Sequence, residues 1–200
     1  NQILYATPQG RLGILRPAAA GSGYELRHVD AVVPMNRAGL RDSPFVRNPQ
    51  FNTNYFRTFG MLPLRRTDGR FSLYVSHHRY AGGCIEFVVS RASLTESPAG
   101  IDVDGTSWED FFVAQPCIRV KASGHPFGGH QAGGRLARRS ENTLLITVGD
   151  HEFDGFNDPQ WHIEEIRKIV GKDLKGITAA VHVPAMVNVP VRGQWITRQV

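Results

Sequence analysis

Cysteine is scarce in this chain, with two residues, Cys84 and Cys117, among 200. Their spacing is not that of a Cys-x-x-Cys metal site, which leaves a disulfide or a pair of buried thiols. Cys84 opens the strand-like run 84–89 and Cys117 follows Gln115-Pro116 on another strand. A disulfide between neighbouring strands is the preferred reading, and it implies an oxidising compartment, periplasmic or secreted. Long hydrophobic runs are missing as well. No segment approaches the ~18 apolar residues of a membrane helix, so no membrane span is expected. The N-terminus lacks the charged-then-apolar pattern of a signal peptide, so a mature form or a fragment is expected. Charge is sparse, at 20% of residues, and mildly basic, with a formal net charge of +5. The arginines are scattered, and Arg65-Arg66 and Arg138-Arg139 are the only adjacent arginine pairs. That distribution argues against a nucleic-acid-binding stripe.

Glycine (21) and proline (12) are plentiful, and many short strands joined by turns need that balance. Gln2–Ala6 and Leu12–Leu15 read as a hairpin about the turn Pro8-Gln9-Gly10-Arg11. The run 25–33 is a further strand, stopped by Pro34. Residues 35–60 show no clear period. The runs 61–64 and 71–77 flank Thr67-Asp68-Gly69-Arg70, a strong hairpin signal. Phe71, Leu73 and Val75 alternate with Ser72, Tyr74 and Ser76, the period of a strand. His77-His78 closes it. Adjacent strand residues point to opposite faces, so one buried and one exposed histidine are expected rather than a shared metal. A turn over 80–83 leads to a strand over 84–90. Residues 96–105 read as a loop, in which Asp102 and Asp104 alternate without continuing an EF-hand pattern. Strands follow over 108–114, 118–120 and 144–149. A helix is expected after Pro159, from Ile163, Ile166 and Ile169-Val170 at helical spacing. The valine-rich segment 177–191 reads as one or two strands broken by Pro184 and Pro190. The expected fold class is all-β and mostly antiparallel, with 1–200 forming one domain or the N-terminal part of one.

The stretch that carries chemistry is Gly128-Gly129-His130-Gln131-Ala132-Gly133-Gly134-Arg135-Leu136, followed by Leu144-Leu145-Ile146-Thr147-Val148-Gly149-Asp150. Glycines on both sides of His130 let the backbone turn sharply and approach a ligand. Arg135-Leu136 and the run 144–149 are natural hairpin partners, with Ser140-Glu141-Asn142 as the polar turn. Pairing them would bring Asp150 about one strand spacing, ~5 Å, from the loop bearing His130. A carboxylate that accepts the proton on one imidazole nitrogen leaves the other nitrogen free as a base.

His-Gln-x-Gly-Gly-Arg-Leu followed by an apolar strand ending Thr-Val-Gly-Asp resembles the soluble PQQ-dependent sugar dehydrogenases, the glucose/sorbosone dehydrogenase-like six-bladed β-propellers. The resemblance is best between residues 71 and about 172. It implies antiparallel β-propeller blades and oxidation of a sugar or other alcohol with pyrroloquinoline quinone as cofactor. It also implies His130 as catalytic base and Asp150 as the residue that orients it. Gln131, Arg192 and Arg198 are the cofactor-binding candidates, the two arginines lying where a partner for a quinone oxygen is expected. Arg47-Asn48-Pro49-Gln50 matches a quinone-binding tetrapeptide of the family, but it precedes His130 instead of following it and is read as a loop. A blade takes roughly forty residues, so 200 residues supply part of a six-bladed propeller. Calcium is a second candidate cofactor, weighed at Asp102 and Asp104; after Asp150, the groups of His151, Glu152, Asp154, Asn157 and Asp158 could bind a cation or the substrate, the alternative being a solvated loop. A small-molecule sugar or alcohol is the expected partner. Two other classes stay open: a propeller-like binding module that has lost its cofactor site, and a structural extracellular β-domain.

Overall fold

The computed structural model describes residues 2–18, 21, 23–47, 51–66, 69–97, 100–115, 117–119, 132–140, 143–149, 179–182, 187–191 and 194–198. These residues form an all-β, mostly antiparallel structure. Strands β1 (Ile3–Ala6), β2 (Arg11–Pro17) and β3 (Tyr24–Val32) make a three-stranded meander. The β1–β2 turn is closed by the Thr7 amide on Arg11 O (2.8 Å) and the Gly10 amide on Thr7 O (2.9 Å). Gly10 has φ +88°, and a Cβ there would meet Met35 Sδ at 2.9 Å, so glycine is required twice over.

The segment without a sequence period, 35–60, contains two short helical turns. Helix α1 (Arg37–Arg41) is capped by Asn36, whose side chain accepts from the Gly39 amide. A 3-10 turn spans Thr53–Tyr55. Such one-turn pieces are too short to leave a periodic pattern.

The central sheet is built on β4 (Thr58–Arg65), β5 (Phe71–Ala81), β6 (Cys84–Ser97) and β7 (Gly100–Val103). Strands β8 (Glu109–Val113) and β9 (Ile118–Arg119) also pair with β6. The β5–β6 hairpin turns on Gly82 (φ 58°) and Gly83 (φ 79°), between the paired Ala81 and Cys84. Two residues of positive φ are what a two-residue hairpin of right-handed twist demands. The loop expected over 96–105 is instead mostly strand, because β6 runs on to Ser97 and pairs with β7 through Ser97 and Gly100. Cys84 and Cys117 are disulfide-bonded with their Cα atoms 5.8 Å apart, tying β6 to the segment entering β9.

A third sheet holds β10 (Gly133–Ser140), β11 (Thr143–Val148) and β12 (Ala179–His182). The β11–β12 pair is parallel, the exception to the antiparallel expectation. Strands β13 (Val187–Val191) and β14 (Gln194–Arg198) form a separate hairpin, with Pro190 inside β13. A two-stranded hairpin has only edges, where the missing N–H of proline is tolerated. The helix expected after Pro159 lies outside the described residues.

Strand β5 is covered on both faces. Leu73 and Val75 pack into a core with Leu12, Ile14, Val29, Met35 and Phe56, while Tyr74 joins Phe87, Val89, Leu144 and Ile146 on the other side. Fully burying side chains such as Ile14, Leu73 or Ile146 is worth about 1.5–3 kcal/mol each. This double covering corrects one expectation. His77 and His78 are both fully buried, because alternation along β5 brings neither side chain to water.

Candidate functional site

The β10–β11 hairpin begins and ends where the sequence places its chemistry. Gly133 pairs with Val148, and the Gly149 amide donates to Ala132 O at 2.9 Å. The residue after Gln131 is thus hydrogen-bonded to the residue before Asp150. Gly133 has φ +75° and Gly134 φ +94°, the left-handed region that glycine occupies without a steric cost. A Cβ on Gly133 would come within 2.7 Å of Thr147 O, and one on Gly134 would overlap Phe59. The register shifts between Gly133 and Leu136, a bulge of the kind that bends a strand. Thr147 repairs the ladder there, its hydroxyl accepting from the Arg135 amide at 2.8 Å.

The hairpin mouth rests on the central sheet. Ser76 of β5 is fully buried, and its hydroxyl donates to Gly134 O while accepting from the Gly60 amide at 2.8 Å. Ala132 is buried beside this point, at 3% exposure. Strand β10 is therefore seated at a fixed place on the central sheet, and its described residues begin directly after Gln131 in sequence.

The sequence-predicted residues stand as follows. His130, Gln131, Asp150 and Arg192 lie outside the described residues, as does the acidic segment 151–158. Arg198 ends β14, where it pairs with Val187 through the backbone. Of the two aspartates weighed for calcium, the exposed Asp104 uses its carboxylate to accept from the Thr106 amide (2.9 Å) and hydroxyl (2.7 Å) of its own turn. Those bonds, the hydroxyl foremost, hold its pKa below the ordinary carboxylate value. Among the described residues, no group of three or more His, Cys, Asp or Glu side chains could hold a metal ion.

Two other polar clusters stand out. His77 sets its Nε2 2.9 Å from Ser90 Oγ and its Nδ1 2.9 Å from His78 O. The carbonyl requires Nδ1 to carry the proton, so Nε2 accepts from the Ser90 hydroxyl. Burial pushes the His77 pKa down to about 4, against the raising effect of the bond to His78 O. The Ser–His pairing resembles a nucleophile and its base, yet both residues are 0% exposed. Among the described residues this pair is part of the buried interior. On the surface, Arg79 spans Glu86 (2.9 Å from Nε) and Asp110 (2.6 and 2.8 Å from Nη1), linking β5, β6 and β8.

Sequence reasoning did not single out Ser76. Its position on the polar phase of an alternating strand marks it as outward-facing, and the sheet that covers that face is distant in sequence. Among the described residues no helix is long and apolar enough to cross a membrane. Comparison with protein-family models, with curated proteins and with solved structures finds no match to this chain.

Proposed function

We propose that the chain is the base-bearing part of a quinone-dependent oxidoreductase that oxidises a sugar or other alcohol. The observation that supports this most is the Gly149-to-Ala132 backbone bond, because one residue beyond it on one side stands Asp150 and two residues before it on the other stands His130. In this reading His130 Nε2 takes the hydroxyl proton of the substrate as its carbon gives up a hydride. Asp150 accepts the Nδ1 proton of His130, fixing the tautomer and steadying the imidazolium that forms. PQQ, when bound, supplies the acceptor for that hydride. Gln131, Arg192 and Arg198 are the residues assigned to hold it, an arginine countering negative charge at a quinone oxygen.

We read the sheets as blades of a partial propeller. The antiparallel order β4–β5–β6, extended by β7 or β8, has the strand count of one blade. The Cys84–Cys117 disulfide suits a periplasmic or secreted protein.

The test is to titrate the purified chain with PQQ, with and without calcium, and to follow dye reduction across a panel of sugars and alcohols. Saturable quinone binding with substrate-dependent turnover is expected. Sugar binding with neither quinone binding nor turnover would replace this reading by the second one, a non-catalytic propeller-like binding module.

A further inference from the structure

We propose that the outer face of the β1–β2–β3 meander is a docking surface for a second copy of this chain. This inference does not rest on the oxidoreductase reading.

The meander has two faces, and both are apolar. Leu4, Leu12, Ile14 and Val29 lie on the inner one, in or against the core. Alternation along the paired strands turns Ile3, Tyr5, Leu15, Pro17, Tyr24 and Leu26 the other way. Ile3 is 58% exposed, Tyr24 67% and Leu26 53%. Among the described residues five large hydrophobic side chains are exposed, and all but Val46 stand on β1 or β3. Scattered singly, such residues need no explanation, but gathered on one face they mark an interaction surface.

Strand register makes the patch continuous. Ile3 pairs with Leu15 and Leu15 with Leu26, so the three lie in one row across the sheet. Pro17 pairs with Tyr24 on one side of that row. On its other side Tyr5 covers Gly13, where an added Cβ would run into the phenol ring. None of the six carries a charge. The nearby Arg16 and Glu25 belong to the inner phase and form an ion pair with each other. His28 and Asp30, the next outward residues of β3, lie beyond Leu26.

Symmetry, charge and area select the occupant. The row Ile3–Leu15–Leu26 is aliphatic throughout and balanced about Leu15. A two-fold axis along β2 sets Leu15 against its own copy and Ile3 against Leu26 of the other chain, which is the self-complementarity an isologous contact needs. A formal net charge of +5 opposes the association of two copies, and an uncharged face lets them meet without setting like charges together. The six side chains leave on the order of 400 Å² of apolar surface to water. With apolar atoms making up about two-thirds of an interface core, that corresponds to about 600 Å² per chain and about 1,200 Å² in all, the lower end of specific interfaces. The dimer is therefore reversible and dissociates on dilution through the micromolar range.

The experiment is sedimentation equilibrium of the full chain from about 1 μM to about 1 mM, beside Leu26→Glu, Tyr24→Ser and Val46→Glu. The average mass of the parent should rise from one chain towards two. Leu26→Glu should weaken association on the order of a hundredfold, because the carboxylate enters the interface twice, and Tyr24→Ser about tenfold. Val46→Glu, at an exposed apolar residue off this face, should leave it unchanged. Circular dichroism checks each fold, and should Leu26→Glu not fold, Tyr24→Ser carries the same reading without adding a charge. A parent with the mass of one chain at every concentration would overturn the proposal. So would association that persists in folded Leu26→Glu and Tyr24→Ser, or that Val46→Glu weakens equally. A parent that sediments as one chain yet floats with phosphatidylcholine vesicles, and ceases to do so in Leu26→Glu, would assign the face to a lipid surface instead.

Discussion

Lowering the pH from 7 to 4 puts the doubly covered strand β5 under strain through one side chain, His77. In the folded protein its pKa is about 4, because no water reaches the ring to solvate a charge. In the unfolded chain it returns to the ordinary histidine value of about 6.5. As pH falls through 6.5 the unfolded state takes up a proton that the folded state refuses, so stability declines. The loss grows until pH approaches 4, where the folded form is protonated as well, and then levels off. The gap between those two values, at about 1.4 kcal/mol per pH unit, amounts to roughly 3 kcal/mol. That is a large share of the 5–15 kcal/mol typical of a domain. The assay is urea unfolding at pH 7, 5.5 and 4.5, run in parallel on His77→Gln. The variant should be weaker at pH 7, by about 1–3 kcal/mol, through its disturbed bonds to Ser90 and His78. It should also lose stability less steeply between pH 6.5 and 4.5, and the difference between the two slopes isolates His77 from the carboxylates. Equal slopes in the two proteins would refute the reasoning.

The remaining expectations are shorter. Gly134→Ala forces a side chain into φ +94° and against Phe59, so its urea midpoint should fall by the equivalent of about 1–3 kcal/mol. An unchanged midpoint would show that the hairpin mouth is not seated as described. Cys84→Ser combined with Cys117→Ser should cost about 2–4 kcal/mol, and the unreduced, denatured parent should titrate no free thiol. Arg79→Ala removes ion pairs that are partly open to solvent, so thermal unfolding should move little, by about 1 kcal/mol or less.

Strands were the most legible part of the sequence, and turn chemistry made them so. Pro8-Gln9-Gly10 and Gly82-Gly83 admit few backbone paths other than tight turns, and both lie where hairpins close. The β10–β11 pairing followed from the same logic, with Leu136 opposite Ile146 and Ser140 opposite Thr143. The disulfide was legible only as one of two alternatives, because sequence spacing does not report the distance between two strands. The burial of His78 was not legible at all. Period-two alternation tells which residues share a face, but a face is exposed or covered according to partners elsewhere in the chain, here Tyr55, Phe56 and Phe59 around His78. The same blindness hid Ser76, whose role depends on Gly60 and Gly134 meeting across two sheets. The parallel β11–β12 pair was equally out of reach, since register between distant strands leaves no local trace.

Turnover of the His130→Ala and Asp150→Asn variants, with PQQ and a reactive sugar or alcohol supplied, tests the proposed chemistry most directly. Removing the base should lower the rate on the order of a hundredfold to ten-thousandfold. Asp150→Asn, which disturbs only the orientation and charge of the imidazole, should lose less. Full activity in His130→Ala, beside an active parent, would contradict the assignment of His130 as the base.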